Sequence, residues 1–373
     1  VTIDTMPARG SLRSRSAAAV SGLTLRQLSA VLPPERTWGL WTSRRIVARI
    51  MDSFGPSLAG TEVEKVDVRL RGGGRVVGEW VRGGAGGQER SDRGIGGASG
   101  QERSDRGIGG VGGQERSDRG IGGASGQERS DRGIGGAGQC IYFVHGSGFA
   151  LCSPRTHRRL TAWLSRLTGL PVFCVDYRLA PRYRFPTAAV DVRTGWDWLR
   201  TEKGYDPADI VIVGDSAGGH LAVDLLLQPD VAHPAGLAVF SPLIDLTFGL
   251  ARTREELRRD PAIRASDAQR LVELYCAGTD VSHPRLTLDV AGGRRLPPTL
   301  VQAGGGEMLV GDARKLAADI AAAGGTVELQ VWPDQVHVFQ ALPRLTPEAA
   351  PAMRQVAAFV AESLRDNGIQ AAG

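Results

Sequence analysis

Val213-Gly214-Asp215-Ser216-Ala217-Gly218-Gly219-His220-Leu221-Ala222 is the stretch on which the fold of this chain turns. Gly214 to Gly218 spell G-x-S-x-G, preceded by a short apolar, β-branched run (Asp209 to Val213) and followed by a segment of helical length and composition (Ala217 to Leu227). Strand, turn and helix are the context in which this motif holds a serine at an unfavourable backbone dihedral, with flanking glycines letting strand and helix approach. The hydroxyl then points away from the sheet, so Ser216 is a candidate nucleophile. The bare motif also fits an ordinary glycine-rich strand-to-helix turn, and its surroundings must decide.

Upstream, Ile141-Tyr142-Phe143-Val144 reads as a buried strand running into the small-residue loop His145-Gly146-Ser147-Gly148-Phe149, and Thr156 to Thr168 has helical spacing. A loop without bulky side chains lets main-chain N–H groups reach a developing oxyanion; losing one such donor typically costs ~3 kcal/mol. Downstream, the strand Thr326 to Val331 leads into Trp332-Pro333-Asp334-Gln335-Val336-His337-Val338-Phe339, which delivers a histidine just past a strand end. With the serine first and the histidine last, the acid of such a triad should follow the penultimate strand. That strand is Thr299 to Ala303, and it opens into Gly304-Gly305-Gly306-Glu307-Met308-Leu309.

On these residues the chain resembles the hormone-sensitive-lipase-like branch of the α/β-hydrolases, and within it bacterial carboxylesterases, especially mycobacterial ones. The matching segments are H-G-S-G-F at His145 to Phe149, D-Y-R-L-A-P at Asp176 to Pro181 with Phe185-Pro186 after it, G-D-S-A-G-G at Gly214 to Gly219, S-P-L-I-D-L at Ser241 to Leu246 and W-P-D-Q-V-H-V-F at Trp332 to Phe339. They span roughly Thr61 to Val360, apart from one insertion. The resemblance implies Ser216 as nucleophile, His337 as general base, Glu307 as the acid, and an oxyanion hole from the loop Gly146, Ser147 and Gly148 together with Ala217. It also implies two-step acyl transfer without a cofactor.

Two positions depart from the family pattern. The usual loop is H-G-G-G, and Ser147 replaces its third residue; a positive φ there would store strain of ~1 to 3 kcal/mol. The family's acid is most often an aspartate, whereas the matched residue is Glu307, with Asp312 nearby at the start of the next helix. A triad accepts either acid. Asp312 is the alternative, and its bland reading is a carboxylate serving the first helical turn.

The remaining sequence narrows the function class. The net charge of +5 comes from arginine almost alone, since Lys65, Lys203 and Lys315 are the only lysines, and the arginines are scattered without interleaved aromatics. Nucleic acid is not an expected partner. Cys140, Cys152, Cys174 and Cys276 show no C-x-x-C or metal spacing and read as reduced, and His157, His220, His233 and His283 show no ligand spacing either, so no metal is expected. His145 reads as a brace for the oxyanion loop, Asp215 as a polar requirement of the elbow, and Asp176 with Arg178 as an ion pair or hydrogen-bonded corner. No run reaches the ~18 apolar residues of a membrane span, and the N-terminus makes a poor secretory signal, so the expected location is the cytoplasm or the cell envelope.

The expected fold is α/β: eight strands in a mainly parallel sheet flanked by helices, with a small helical cap. Residues 1–60 should hold cap helices and a tail, 61–82 the first strand pair, and 139–373 the catalytic core with a further cap segment near 247–277. Within the first region, Trp38 to Phe54 is a basic amphipathic stretch that could pack its apolar face on the domain or lie on an anionic membrane surface. Residues 83–138 hold Q-E-R-S-D-R-G-I-G-G four times, beginning at Gln88, Gln101, Gln114 and Gln127. One isoleucine per unit among glycines and cancelling charges cannot build a core, so this insertion is expected to be a disordered loop. The expected substrate is a small-molecule or lipid ester with a short- to medium-chain acyl group; the alternatives are a lipase or phospholipase, and an inactive hydrolase-fold ligand receptor.

Overall fold

The computed structural model describes residues 9–84 and 138–370; the tandem repeat therefore lies outside the described residues. Among these residues eight strands form one sheet: β1 (Glu62–Arg69), β2 (Arg75–Arg82), β3 (Cys140–Val144), β4 (Val172–Val175), β5 (Ile210–Asp215), β6 (Gly236–Phe240), β7 (Thr299–Gly304) and β8 (Val327–Trp332). Their order is β1-β2-β4-β3-β5-β6-β7-β8; β1, β2 and β4 pair antiparallel and every later pairing is parallel. Beyond the fourth strand the Asp176 N–H still bonds the Val77 carbonyl (2.8 Å), and Tyr177 donates its hydroxyl to the carbonyl of His145 (2.7 Å).

Among the described residues ten α-helices surround the sheet: α1 (Leu12–Leu23), α2 (Leu25–Val31), α3 (Thr37–Phe54), α4 (Pro154–Thr168), α5 (Thr187–Thr201), α6 (Ala217–Leu227), α7 (Gly249–Leu257), α8 (Ala265–Cys276), α9 (Val310–Ala322) and α10 (Ala349–Gln370). The central strands are buried along their whole length and read as continuous apolar runs, as a sheet covered on both faces requires. Alternation then sorts their side chains. Ile141, Phe143, Val211, Val213, Ala238 and Phe240 pack beneath α4 and α10, whose Met353, Val356 and Val360 recur at helical spacing. Tyr142, Val144, Ile212, Leu237, Val239 and Val301 face the opposite core with Trp196 of α5, Leu221 of α6 and Leu316 of α9.

The helices α1 to α3 are joined to α7 and α8, which follow β6. Arg26 pairs with Glu255 at 2.8 Å and donates to the carbonyls of Asp260 and Ile263; Arg270 clamps Glu35 with two bonds of 2.7 Å. In α3 the inward apolar face leaves out two of the helix's large apolar residues. Leu40, Ile46, Val47, Ile50, Met51 and Phe54 are buried or half-buried, but Trp38 and Trp41 point outward and are more than half exposed. Helical spacing explains this, because positions 38 and 41 share a face with Arg45 and Arg49 and not with Val47 and Met51.

Candidate active site

Strand β5 ends at Asp215 and α6 begins at Ala217, so Ser216 must turn the chain between them. It does so at φ 51°, ψ −120°, an unfavourable conformation for a non-glycine residue, held by its N–H on the Phe240 carbonyl (2.9 Å) and its own carbonyl accepting from Gly219 and Leu243. The flanking glycines permit the close approach: a Cβ on Gly218 would lie 2.0 Å from the Val144 carbonyl oxygen.

Three side chains far apart in sequence meet at this turn. Ser216 Oγ is 3.0 Å from His337 Nε2, and His337 Nδ1 is 2.8 Å from Glu307 Oε2. Glu307 is fully buried, and its second oxygen accepts from the Gly304 N–H (2.9 Å), which fixes the carboxylate. Burial raises the Glu307 carboxyl above its ordinary range, opposed by the His337 bond. On His337 burial acts downward, but the hydrogen bond and charge of Glu307, with Asp260 and Asp215 behind it, outweigh this and hold the imidazole above the ordinary histidine value.

Asp312 sits elsewhere. Its Oδ1 accepts from the N–H groups of Ile244 (2.9 Å) and Asp245 (2.8 Å), bracing the S-P-L-I-D-L loop, and burial pushes this carboxyl up to about 7.

The loop after β3 places Ser147, Gly148 and Phe149 in succession at φ 75°, 58° and 60°, so Ser147 does adopt the positive φ that a glycine would take without cost. The N–H groups of Ser147, Gly148 and Ala217 find no protein acceptor among the described residues. Gly146 differs from the expectation: its N–H is given to Asp215 Oδ1 (3.0 Å), so it ties the loop to the elbow and is not a free donor. Asp215 thus has more to do than filling a polar position. It is buried, and His157 Nε2 approaches it at 3.2 Å. His145 is fully buried and stacks on Tyr177 at 4.2 Å; burial first, then His157, lowers it to about 3, so it stays neutral. Arg178 pairs with Asp191 and not with Asp176.

Sequence reasoning missed Asp260. This buried carboxylate accepts from Ala262, Ile263 and Met308 N–H groups at 2.7 to 3.0 Å, and so holds the residue after Glu307. Its one signal was the turn-forming dipeptide Asp260-Pro261. All four cysteines are buried and unpaired, and no His, Cys, Asp or Glu cluster among the described residues could hold a metal. Among these residues no helix is long and apolar enough to cross a membrane.

A family model described as alpha/beta hydrolase fold matches residues 141–341. The carboxylesterase/phospholipase LipF of Mycobacterium tuberculosis is 36% identical over 246 residues, covering 62% of this chain and 64% of that protein. The esterase LipU of the same organism is 38% identical over 236 residues, covering 60% of this chain and 78% of its own length. An esterase of the bacterial hormone-sensitive lipase family superposes with a TM-score of 0.71 at 26% identity, over 95% of this chain and 99% of that one. The chain therefore spans slightly less than two thirds of LipF. The match covers the whole run from β3 to the loop after β8, which carries the elbow, the small-residue loop and the histidine, and this chain belongs to the α/β-hydrolase fold family, in its hormone-sensitive-lipase-like branch.

Proposed function

We propose that this chain is a serine carboxylic-ester hydrolase. The observation that carries the reading is the continuous hydrogen-bonded line Ser216, His337, Glu307 ending on a buried carboxylate. In this reading His337 Nε2 takes the Ser216 proton as Oγ attacks the ester carbonyl, while Glu307 keeps Nδ1 protonated and offsets the imidazolium charge. The N–H groups of Ser147, Gly148 and Ala217 receive the oxyanion. The carbon–oxygen bond to the alcohol breaks as His337 returns the proton to the leaving oxygen, and water then repeats the sequence on the acyl-enzyme.

Short to medium acyl chains fit best. The helices α1 to α3 with α7 and α8 form the cap in this proposal, and α8 crowds the oxyanion loop: Tyr275 stacks on Phe149 at 4.3 Å, and a Cβ on Gly148 would meet Leu271 at 2.6 Å. The names of the mycobacterial relatives support ester chemistry, and LipF's includes a phospholipase. A fluorophosphonate probe should label the protein once, at Ser216, and Ser216→Ala should lose both labelling and at least ~10³-fold in kcat. Persisting label or esterase activity in Ser216→Ala would overturn the assignment. Greater turnover of p-nitrophenyl palmitate than of the butyrate, both soluble, would instead overturn the chain-length reading.

A further inference from the structure

The outward face of α3 carries Trp38, Trp41, Arg45 and Arg49, at steps of three and four residues, all exposed. Residues 1–54 hold eight arginines and three carboxylates, a net +5 equal to that of the entire chain, so the rest of the protein is neutral in sum. The carboxylates near this face are already paired with the body of the protein, Glu35 with Arg270 and Asp52 with Arg159 at 3.7 Å. By contrast, Arg36, Arg45, Arg49 and Arg155 have no carboxylate partner among the described residues; Arg45 lies over the Trp41 ring at 4.6 Å. An open groove of about 280 Å³ continues from Trp41 past Arg44 and Arg45 to Leu151 and Arg155, at the start of α4. Of the exposed large apolar side chains among the described residues, seven of thirteen fall between Leu12 and Trp41.

A tryptophan half out of the protein is costly in water and favourable at a boundary between apolar and polar media, and unpaired arginines beside it select an anionic boundary. A soluble acidic partner would not require the tryptophans, and an apolar partner would not require the uncompensated charge. We propose that this face of α3 docks on an anionic lipid surface. Docked there, α3 would set the oxyanion loop close beneath the lipid headgroups, since Arg44 Nε already donates to the Ala150 carbonyl at 2.9 Å.

Co-sedimentation with vesicles tests this without reference to hydrolysis. The full chain should pellet with phosphatidylcholine vesicles containing about 30 mol% phosphatidylglycerol, remain in the supernatant with phosphatidylcholine alone, and be released by about 0.5 M NaCl. Arg45→Glu with Arg49→Glu should lower partitioning by about tenfold or more, and Arg45→Gln with Arg49→Gln by a smaller factor. Trp38→Ala with Trp41→Ala should weaken partitioning several-fold and remove the blue shift of tryptophan emission on binding. Since all four side chains are exposed, each variant should keep the parent's circular dichroism and melting temperature. Equal binding to both vesicle types, or undiminished binding of the charge-reversed variant, would overturn the proposal. So would failure to bind lipid in a protein whose lipid-free oligomeric state changes with the tryptophan substitutions, because the face would then join two copies of the chain.

Discussion

The two edges of the parallel strands handle backbone strain in opposite ways. Every non-glycine residue with a left-handed φ among those described follows the carboxyl end of a strand: Ser147 and Phe149 after β3, Ser216 after β5, Ser241 and Phe248 after β6, Asp334 and Val338 after β8. At the amino edge the chain returns from helix to strand through residues such as Gly169 and Gly324, both at φ 74°, with nothing within 4 Å of where a Cβ would lie. A left-handed non-glycine residue costs of order 1–3 kcal/mol, so the carboxyl edge holds a conformational expense that packing must overcome. The amino edge only has to turn. Strain is concentrated where N–H groups and side chains need fixed directions, and it is absent where connection is the sole requirement.

The sharpest test of that contrast compares two buried acids at the carboxyl edge. Glu307→Gln keeps the shape but loses the charge facing His337, and should lower kcat by ~10³ to 10⁴. Asp312→Asn can keep its acceptor for the Ile244 and Asp245 N–H groups, so kcat should change by less than about fivefold. The reverse ranking, measured on folded variants, would move the acid role to Asp312.

A second effect is a shift in pH dependence. In the proposed mechanism the base works only when neutral, so activity is lost as pH falls through the pKa of His337. Because the bond and charge of Glu307 outweigh burial and raise that pKa, the acidic limb of kcat/KM should lie above the ordinary histidine value of about 6.5. In Glu307→Gln the residual activity should show its limb displaced to lower pH. An acidic limb in the parent well below 6 would remove the proposed influence of Glu307 on His337.

These features differed in how far the sequence disclosed them. The strands were legible because apolar β-branched runs bounded by turn residues need no knowledge of their partners; the runs Ile141 to Val144 and Thr299 to Ala303 fall within one residue of Cys140–Val144 and Thr299–Gly304. The G-x-S-x-G elbow and the histidine after β8 were equally local. What stayed hidden depended on contacts between distant segments. Asp260 is tied to the site through the Met308 N–H, Asp215 through Gly146 and His157, and Arg26 through the carbonyls of Asp260 and Ile263. The outward turn of Trp38 and Trp41 was hidden for a different reason: an apolar residue of a helix faces the core only from the inward arc, and which arc is inward depends on what the helix packs against.

A smaller change should follow at the loop after β3. Ser147→Gly removes a Cβ from a residue at φ 75° while keeping the N–H, so the strain is relieved and the donor survives. The lost contact is the hydrogen bond from Cys152 Sγ to Ser147 Oγ, a weak donor type. Stability should rise by about 1 kcal/mol in denaturant unfolding, with kcat within a few-fold of the parent. A fall in stability would mean that this loop is not strained, and the contrast between the edges would lose one of its supports.

The least effect is expected at the amino edge, where the repeat joins the domain. Strand β2 runs out at Arg82, with Val81 beside Val172 at the start of β4, and β3 begins at Cys140 beside Ile210, the first residue of β5. Both flanks of the insertion therefore lie at the amino ends of the parallel strands, while Gly146 and Ser147 lie beyond the opposite end of β3, ~17 Å away at 3.3 Å per residue. Gly83 and Gly84 must be retained, since Cβ atoms there would approach the carbonyl oxygens of Ala162 and Gly60 to 2.3 Å. We expect deletion of Gln88 to Gly136 to leave kcat/KM for a short-chain ester within about threefold. Stability should rise by about 1 to 2 kcal/mol, because closure entropy changes by ~0.6 kcal/mol per doubling of loop length. A large loss of activity in a deletion variant that still melts cooperatively would place the repeat in contact with the carboxyl edge, and the separation of a strained working edge from a relaxed connecting edge would fail at the one insertion where it can be tested most directly.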